Sequence, residues 1–452
     1  MPVPQTRSDN SSFQTIVENN TVAGVIRFDQ GAGSEPQLIR GNRAGAILIK
    51  SGGFWTYDIS GNDLDSGIID NSGACWTTIA NNVIRDGIIY DASGSFEDSV
   101  ESQIIEGNDV SYSGRLFSFE YIAPEQAVSA VVNRSKSATV RNNYITSAIS
   151  GCSFSSGSPT NIVGNTIIVP NLTPPFTSSD SLIYGIRTIA GFGYVTGNTI
   201  TGGFIGYTSS SGAVLFSDNT IAGAHTGILS VGRERFRNNT ITGCSGDGMV
   251  LNGARGPVEM NRVTDNAGAG IRVLRAPIDL GGGADSSAGL NILQRNGDYD
   301  LFINTTGDSA RTIYARNNYW DHATAGEIAA IDIYDGRDAD SLAIVDFSPF
   351  GVMSARGSNH DRTDMGLDVI PNPVADHGTI VYRLSHAGYV RLRLLDLIGR
   401  ERALLVDRHQ EEGDHGAPIG MFMNQTRRLP TGVYWCALTV DGKCVVRRFT
   451  VL

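Results

Sequence analysis

An asparagine followed two positions later by an apolar residue recurs along most of this chain. It reads GNTI at 164–167, GNTI at 197–200, DNTI at 218–221, NNTI at 238–241 and MNRV at 260–263. With the asparagine as origin, rungs fall at Asn20, Asn42, Asn62, Asn82, Asn108, Asn143, Asn165, Asn198, Asn219, Asn239, Asn261, Asn291 and Asn318. The successive gaps are 22, 20, 20, 26, 35, 22, 33, 21, 20, 22, 30 and 27 residues. A floor near 20 to 22, with the excess in discrete insertions, is the signature of a solenoid with one turn per repeat.

The second column identifies the kind of solenoid. Two residues after the asparagines stand Val22, Ala44, Leu64, Ile84, Val110, Ile145, Ile167, Ile200, Ile221, Ile241, Val263, Leu293 and Trp320, all apolar. Thr fills the position between at Thr21, Thr166, Thr199, Thr220 and Thr240. Apolar and polar positions alternating with a β-branched bias predict short strands with one face inward. Glycine is too frequent for a helical repeat. The asparagine is expected at the bend, because its amide tolerates left-handed backbone. Stacked amides can also bond along the axis. About 13 coils at ~4.8 Å make a rod of roughly 60 Å.

The rungs over about residues 10 to 350 resemble the right-handed parallel β-helix proteins of the pectate-lyase-like superfamily. The closing stretch carries the most specific likeness: LGGGADSSAGLNILQRNGDYDLFINTTG at 280–307, ARNNYWD at 315–321 and IDIYDGRDADSLAIVDFSP at 331–349. In that family a final Tyr-Trp rung closes the apolar column.

Rung periodicity stops after Pro349, dividing the chain into a rod at 1–350, a polar linker at 351–366 and a second domain at 367–452. Val390, Leu392 and Leu394 alternate with Arg391 and Arg393, predicting a small antiparallel β-sandwich. The tail resembles the C-terminal sorting domain of the type IX secretion system. The likeness rests on Pro371-Asn372-Pro373, the turn Leu395-Asp396-Leu397-Ile398-Gly399-Arg400, and Leu429-Pro430-Thr431-Gly432-Val433-Tyr434. The chain ends Arg447-Arg448-Phe449-Thr450-Val451-Leu452, without the basic residue many members carry at the extreme end. The resemblance implies export to the outer cell surface or medium, with the secretion machinery as partner. The start MPVPQTRSDN shows no signal peptide, and rungs begin almost at once, so the chain reads as a fragment of a longer protein.

Charge narrows the choice of ligand. The chain of 452 residues carries a formal net charge of −11. Residues 366–452 hold eleven Lys and Arg against nine Asp and Glu, a balance of +2, which leaves −13 on the rod. Such a rod is a poor partner for nucleic acid, and for an anionic polymer unless a local basic site or a bound cation intervenes. No run of 18 apolar residues predicts a membrane span. Five cysteines cannot all pair, and they read as small core residues. Cys436 and Cys444 flank an Asp441-Gly442 turn whose register pairs 439 with 444 and 436 with 447.

The insertions in the gaps 82–108, 108–143 and 165–198 are the functional pointer, since solenoids grow binding loops on one face. They are expected to form one wall. They bring Phe96, Tyr112, Phe117, Phe119, Tyr121, Phe176 and Tyr184, with Glu97, Asp98, Glu101, Glu120, Glu125, Arg134, Lys136 and Arg187 nearby. Aromatic faces beside carboxylates and arginines suit a sugar ring. Tyr112, Phe119, Tyr121 and Arg187 are the binding candidates; the blander alternative is that the aromatics fasten long loops to the rod. Arg134-Ser135-Lys136-Ser137 resembles the lysine segment of alginate- and chondroitin-lyase β-helices, which makes Lys136, Arg134 and Glu120 the catalytic candidates. The family's preceding glutamate and its Arg-His partner are missing, and no Asn-Thr-Asp, Asp-Asp, Gly-His-Gly or Arg-Ile-Lys motif of the pectin hydrolases occurs.

No cofactor is evident. Calcium is open through Asp335, Asp338 and Asp340, whose spacing suits turn-capping better than an EF-hand. Asp65 and Arg85 should stack, and Arg233, Arg235 and Arg237 alternate on one strand and can meet Glu259. His225 lies inside a regular rung without a nucleophile in phase. The sequence points to a surface or secreted rod that binds polysaccharide. The competing readings are a non-catalytic structural rod and a polysaccharide lyase.

Overall fold

In a computed structural model the described residues are all-β apart from one short helical stretch at Ala325–Asp332. The structure describes residues 14–28, 36–49, 54–70, 74–91, 103–113, 129–133, 138–147, 150–155, 159–171, 183–189, 191–210, 212–275, 278–304, 312–351, 366–370, 374, 379–384, 386–396, 400–419, 429–430, 432–441 and 443–451. It divides into two compact units, Met1–Met353 and Ser354–Leu452.

The first unit is a parallel β-helix. Its first face is an eleven-stranded parallel sheet running from Ile16–Glu18 to Val258–Glu259. The asparagine corner follows, then a second face through strands such as Thr199–Thr201, Thr220–Ala222 and Thr240–Thr242. A second corner leads to a third face through Tyr184–Ile189, Ile205–Ser209 and Thr226–Ser230. The expected count of about 13 like coils does not hold. Eight successive coils, from Ala74–Ala80 to Ile271–Arg275, have three separate strands. Before them the second and third faces merge, as in Arg43–Ile49 and Asp63–Asp70, and after them the first-face strands leave the long sheet for a three-stranded one.

The inward column is as the spacing predicts. From Ala44 to Trp320 every residue two places after a ladder asparagine is at most 2% exposed, and Val22 packs against the same core. The asparagines form a continuous ladder. In twelve successive pairs, from Asn20 to Asn318, Nδ2 donates to the next Oδ1 at 2.8–3.1 Å. The same Oδ1 also accepts a backbone N–H, as Asn239 does from Asn219 at 3.0 Å. The expectation that these asparagines are themselves left-handed fails. The residue before each one takes that conformation, including Gly41 (φ 62°), Asp218 (φ 58°), Asn238 (φ 54°) and Met260 (φ 59°). The ladder residue is selected for its amide, which is both donor and acceptor.

At the far end of the rod Trp320 is buried, edge-on to Phe347 at 6.3 Å. There the register Leu301↔Ile333 stacks Asp300 and Asp332 on neighbouring coils. Asp332 Oδ1 meets His322 Nδ1 at 2.6 Å, and Asp300 Oδ1 accepts from Asn296 Nδ2 at 2.8 Å. Asp300 Oδ2 has no partner among the described residues. Burial, then the nearby Asp321 and Asp332, push the Asp300 carboxyl up to about 8. The hydrogen bond to Asp332 raises His322.

The second unit builds one apolar core from two antiparallel sheets. One holds Gly366–Ile370, Thr379–Leu384 and Gly413–Pro418; the other holds Glu401–Gln410, Gly388–Leu395, Gly432–Val440 and Lys443–Val451. Val390, Leu392 and Leu394 are buried in it, as the alternation predicts. The hairpin pairs Thr439 with Cys444 and Cys436 with Arg447, also as expected. Cys152 and Cys244 are buried free thiols, and the buried Cys436 thiol donates to the Arg447 carbonyl at 3.4 Å. The proposed linker lies outside the described residues except at Gly351 and Gly366.

Two measurements check this account. Asn219→Ala strips the acceptor from the Asn198 amide and backbone N–H, and should lower stability by on the order of 3 kcal/mol or more in denaturant unfolding. The exposed Thr220→Ala should stay within about 0.5 kcal/mol, and equal effects of the two would remove the ladder from the account. For Asp300 the folded pKa lies above the unfolded value of ~3.9, so its contribution to stability is full below about pH 4 and lost as pH rises to 8. Asp300→Asn should therefore raise the melting temperature at pH 8 and change it little at pH 4.

Candidate functional site

The three long gaps do not open on one wall. The segments 114–128 and 172–182 both leave the second corner, after Asp109–Tyr112 and Thr166–Ile168. The segment 92–102 follows the third-face strand Ile88–Asp91 and so leaves a different corner. Gap length in a sequence does not reveal the corner at which a coil is interrupted.

Between the roots of the two segments that share a corner lies a groove of about 380 Å³. Asp86, Ser111, Tyr112, Ser113, Thr146, Ser147, Ile168, Val169 and Pro170 line it, contributed by four successive coils. Parallel register sets their order, with Ser111 opposite Thr146 and Thr146 opposite Ile168. Asp86 turns the chain with φ 49°, and its Oδ1 accepts the Ser113 N–H at 2.9 Å. Its backbone N–H donates to Ser111 Oγ at 3.3 Å. The groove thus joins aliphatic groups at Ile168, Val169 and Pro170 to hydroxyls at Ser111, Ser113, Thr146 and Ser147, beside one carboxylate.

Tyr112 is 3% exposed and belongs to the apolar core. Burial, then the charge of Asp86, raise its phenol pKa. The expectation of an open aromatic platform fails at this residue, because Tyr112 stands two places after the inward Val110 and shares its side. Arg187 lies on the third face, in register with Ser153 and Thr208, its guanidinium 5.7 Å from the Tyr184 ring centre. It does not line the groove, so Tyr112 and Arg187 are not brought together. Phe119, Tyr121, Glu120, Arg134 and Lys136 lie outside the described residues, as do Pro371, Asn372 and Pro373. Gly432 opens the strand Gly432–Val440, and the nearly buried Tyr434 donates its hydroxyl to the Pro430 carbonyl at 2.9 Å.

Arg85 stacks on Asp65, as expected, its N–H donating to the Leu64 carbonyl at 2.8 Å, but its guanidinium forms its ion pair with Asp63. Arg237 meets Glu259 at 3.7 Å. Asp335 and Asp338 cap a turn: Asp335 accepts the N–H groups of Arg337 and Val345, each at 2.8 Å, and Asp338 accepts that of Asp335 at 3.0 Å. His225 contacts Ser245 Oγ at 3.1 Å and stacks near Phe204; burial lowers its pKa. Among the described residues no three His, Cys, Asp or Glu side chains are grouped to hold a metal ion, and no helix is long and apolar enough to cross a membrane. Sequence reasoning missed Asp86, Ser111, Ser113, Thr146, Ser147, Ile168, Val169 and Pro170. Their signal is positional: they stand three to five places after ladder asparagines, on the coils next to insertions.

Residues 99–325 match the family described as Protein of unknown function (DUF1565). No curated protein matches the chain. The crystal structure of Dettilon tailspike protein (gp208) is similar at 10% identity with a TM-score of 0.34, over 94% of this chain and 84% of that one.

Proposed function

The chain belongs to the DUF1565 family of proteins of unknown function, and we propose that this member is a secreted or cell-surface β-helix that binds polysaccharide along its second corner. The groove across four coils carries this reading. A sugar presents apolar C–H faces and hydroxyls together, and the groove offers Ile168, Val169 and Pro170 for the first and serine and threonine hydroxyls for the second. Asp86 accepts hydrogen bonds from sugar hydroxyls and repels anions, so the preferred stretch is uncharged. Repetition by coil suits an extended polymer, since each rung repeats the surface of the last. The reading is one of binding.

The second unit serves, in this proposal, as a type IX sorting domain. Support comes from the order of its three motifs and from a separate apolar core. Fused behind a Sec signal, residues 351–452 should carry a passive reporter to the surface of a cell with type IX machinery. A reporter held in the periplasm while a known sorting domain exports it would end this half of the proposal.

Ile168 is exposed on the groove wall, so Ile168→Asp changes the surface without opening the core. On an array of neutral glycans it should weaken the best-bound glycan at least tenfold, with unfolding unchanged. Undiminished binding would leave the groove without a role and favour the structural rod.

A further inference from the structure

Outward arginines on this rod usually meet a carboxylate on the adjacent coil. Arg40 pairs with Asp58, Arg141 with Glu106, Arg295 with Asp265 and Arg316 with Asp346. Arg43, Arg187, Arg233, Arg235, Arg255 and Arg275 form no ion pair with a described residue, and of these Arg233, Arg235 and Arg255 are grouped on neighbouring coils of the first face. These three are exposed. The Arg233 N–H donates to the Gly212 carbonyl at 2.8 Å, and the Arg255 N–H to that of Gly232 at 2.9 Å. These bonds put Arg233 and Arg255 at the same position of successive coils, ~4.8 Å apart along the axis. Like charges placed opposite one another are destabilising, and an anion between them removes the repulsion.

None of the nearby carboxylates pairs with these arginines, although Oε1 of Glu234 has no hydrogen-bond partner among the described residues. Glu234 is buried and accepts from Ser230 Oγ at 2.5 Å. Glu259 is held by Arg237 and accepts the Ala288 N–H at 3.0 Å. Asp279 is buried and accepts the N–H groups of Gly281 and Gly283, each at 2.9 Å.

Two coils before the arginines, the same first face presents Phe192 and Tyr194, 53% and 55% exposed. Phe192 is in register with Ala213, which the Gly212 bond aligns with Arg233. Tyr194 is in register with Leu215, and Leu215 with Arg235. Each ring therefore shares a column with an arginine about 10 Å away along the axis, and between Phe192 and Arg233 the column holds only the small Ala213.

We propose that this face binds an acidic, uronate-bearing polysaccharide, its sugar rings against Phe192 and Tyr194 and its carboxylates on Arg233, Arg235 and Arg255. Aromatic rings pack against the apolar face of a pyranose, and a guanidinium fork matches a carboxylate. A nucleic acid fits less well: a phosphate every ~3.4 Å of strand would run past three arginines onto a strongly acidic rod. The inference stands apart from the second-corner groove, which lies on a different part of the coil. It also supplies the local basic site without which the acidic rod is a poor partner for an anionic polymer, and it puts that polymer on the regular coils.

The test is titration of the full chain with polygalacturonate, with dextran as the uncharged comparison and an oligothymidylate as a second polyanion. Polygalacturonate should bind at least tenfold tighter than either. Arg233→Gln with Arg235→Gln should weaken it at least tenfold and flatten its salt dependence. Phe192→Ala with Tyr194→Ala should weaken it to a similar degree. All four side chains are exposed, so thermal unfolding should not move. Ile168→Asp should leave uronate binding intact. Absence of polygalacturonate binding, unchanged affinity in both double variants, or preference for the oligonucleotide would each overturn the proposal. A loss confined to Ile168→Asp would do so too, by assigning the uronate to the groove.

Discussion

The buried side-chain amide is the constraint on which the rod depends. Each interior ladder asparagine uses one Nδ2 hydrogen on the next amide and the other on a backbone carbonyl, as Asn219 does with Asn239 and the Val195 oxygen. Its Oδ1 accepts two N–H groups from the coil before, both from Asn198 in this case. Nothing polar is left over, and an amide so buried is tolerated only on those terms. Aspartate lacks the donors and serine lacks the reach. The ladder bonds join residues 20 to 35 apart in sequence, so segments of very different length hang between rungs without disturbing the stack.

That dependence explains what could be read in advance. The rungs and the inward column were legible because one hydrogen-bonded position recurs in every coil, and Ile200, Ile221 and Ile241 follow it at a fixed offset. The left-handed residue was misplaced by one because Gly, Asn, Asp, Met and Leu all fill it, so no residue type marks it. Tyr112 lines the groove from the core side and is buried, not an open platform. Its parity with Val110 puts it inside, whereas an aromatic residue beside an insertion suggests exposure. The groove was not legible, since Asp86, Thr146 and Ile168 come from separate coils and meet only through register. The stacking of Arg233 on Arg255 was equally hidden, because it runs through a corner where the spacing is irregular.

Charge on the rod is arranged by coil and not by sequence neighbourhood. Arg272 reaches Asp247 one coil back at 2.6 Å and Asp298 one coil on at 3.3 Å, and its guanidinium covers the Phe302 ring at 4.3 Å. Exposed pairs, such as Arg85 with Asp63, contribute at most ~1 kcal/mol each. Their effect is to cancel field locally, so that a net charge of −11 on the chain is spread thinly. Against that background the grouped Arg233, Arg235 and Arg255, without an ion pair among the described residues, make a local positive potential.

The parallel ladders have a consequence for anything that lies along them. Coils related by translation alone lack the two-fold symmetry that would make the two ways along the axis equivalent. Every ladder bond runs from the Nδ2 of one asparagine to the Oδ1 of the asparagine one coil later, never the reverse. The outward columns inherit this polarity, with Tyr194, Leu215 and Arg235 met in one fixed order. A polysaccharide chain also has two unlike ends. On this surface the two orientations of the same polymer are chemically different complexes, and the rod distinguishes a strand from its reverse.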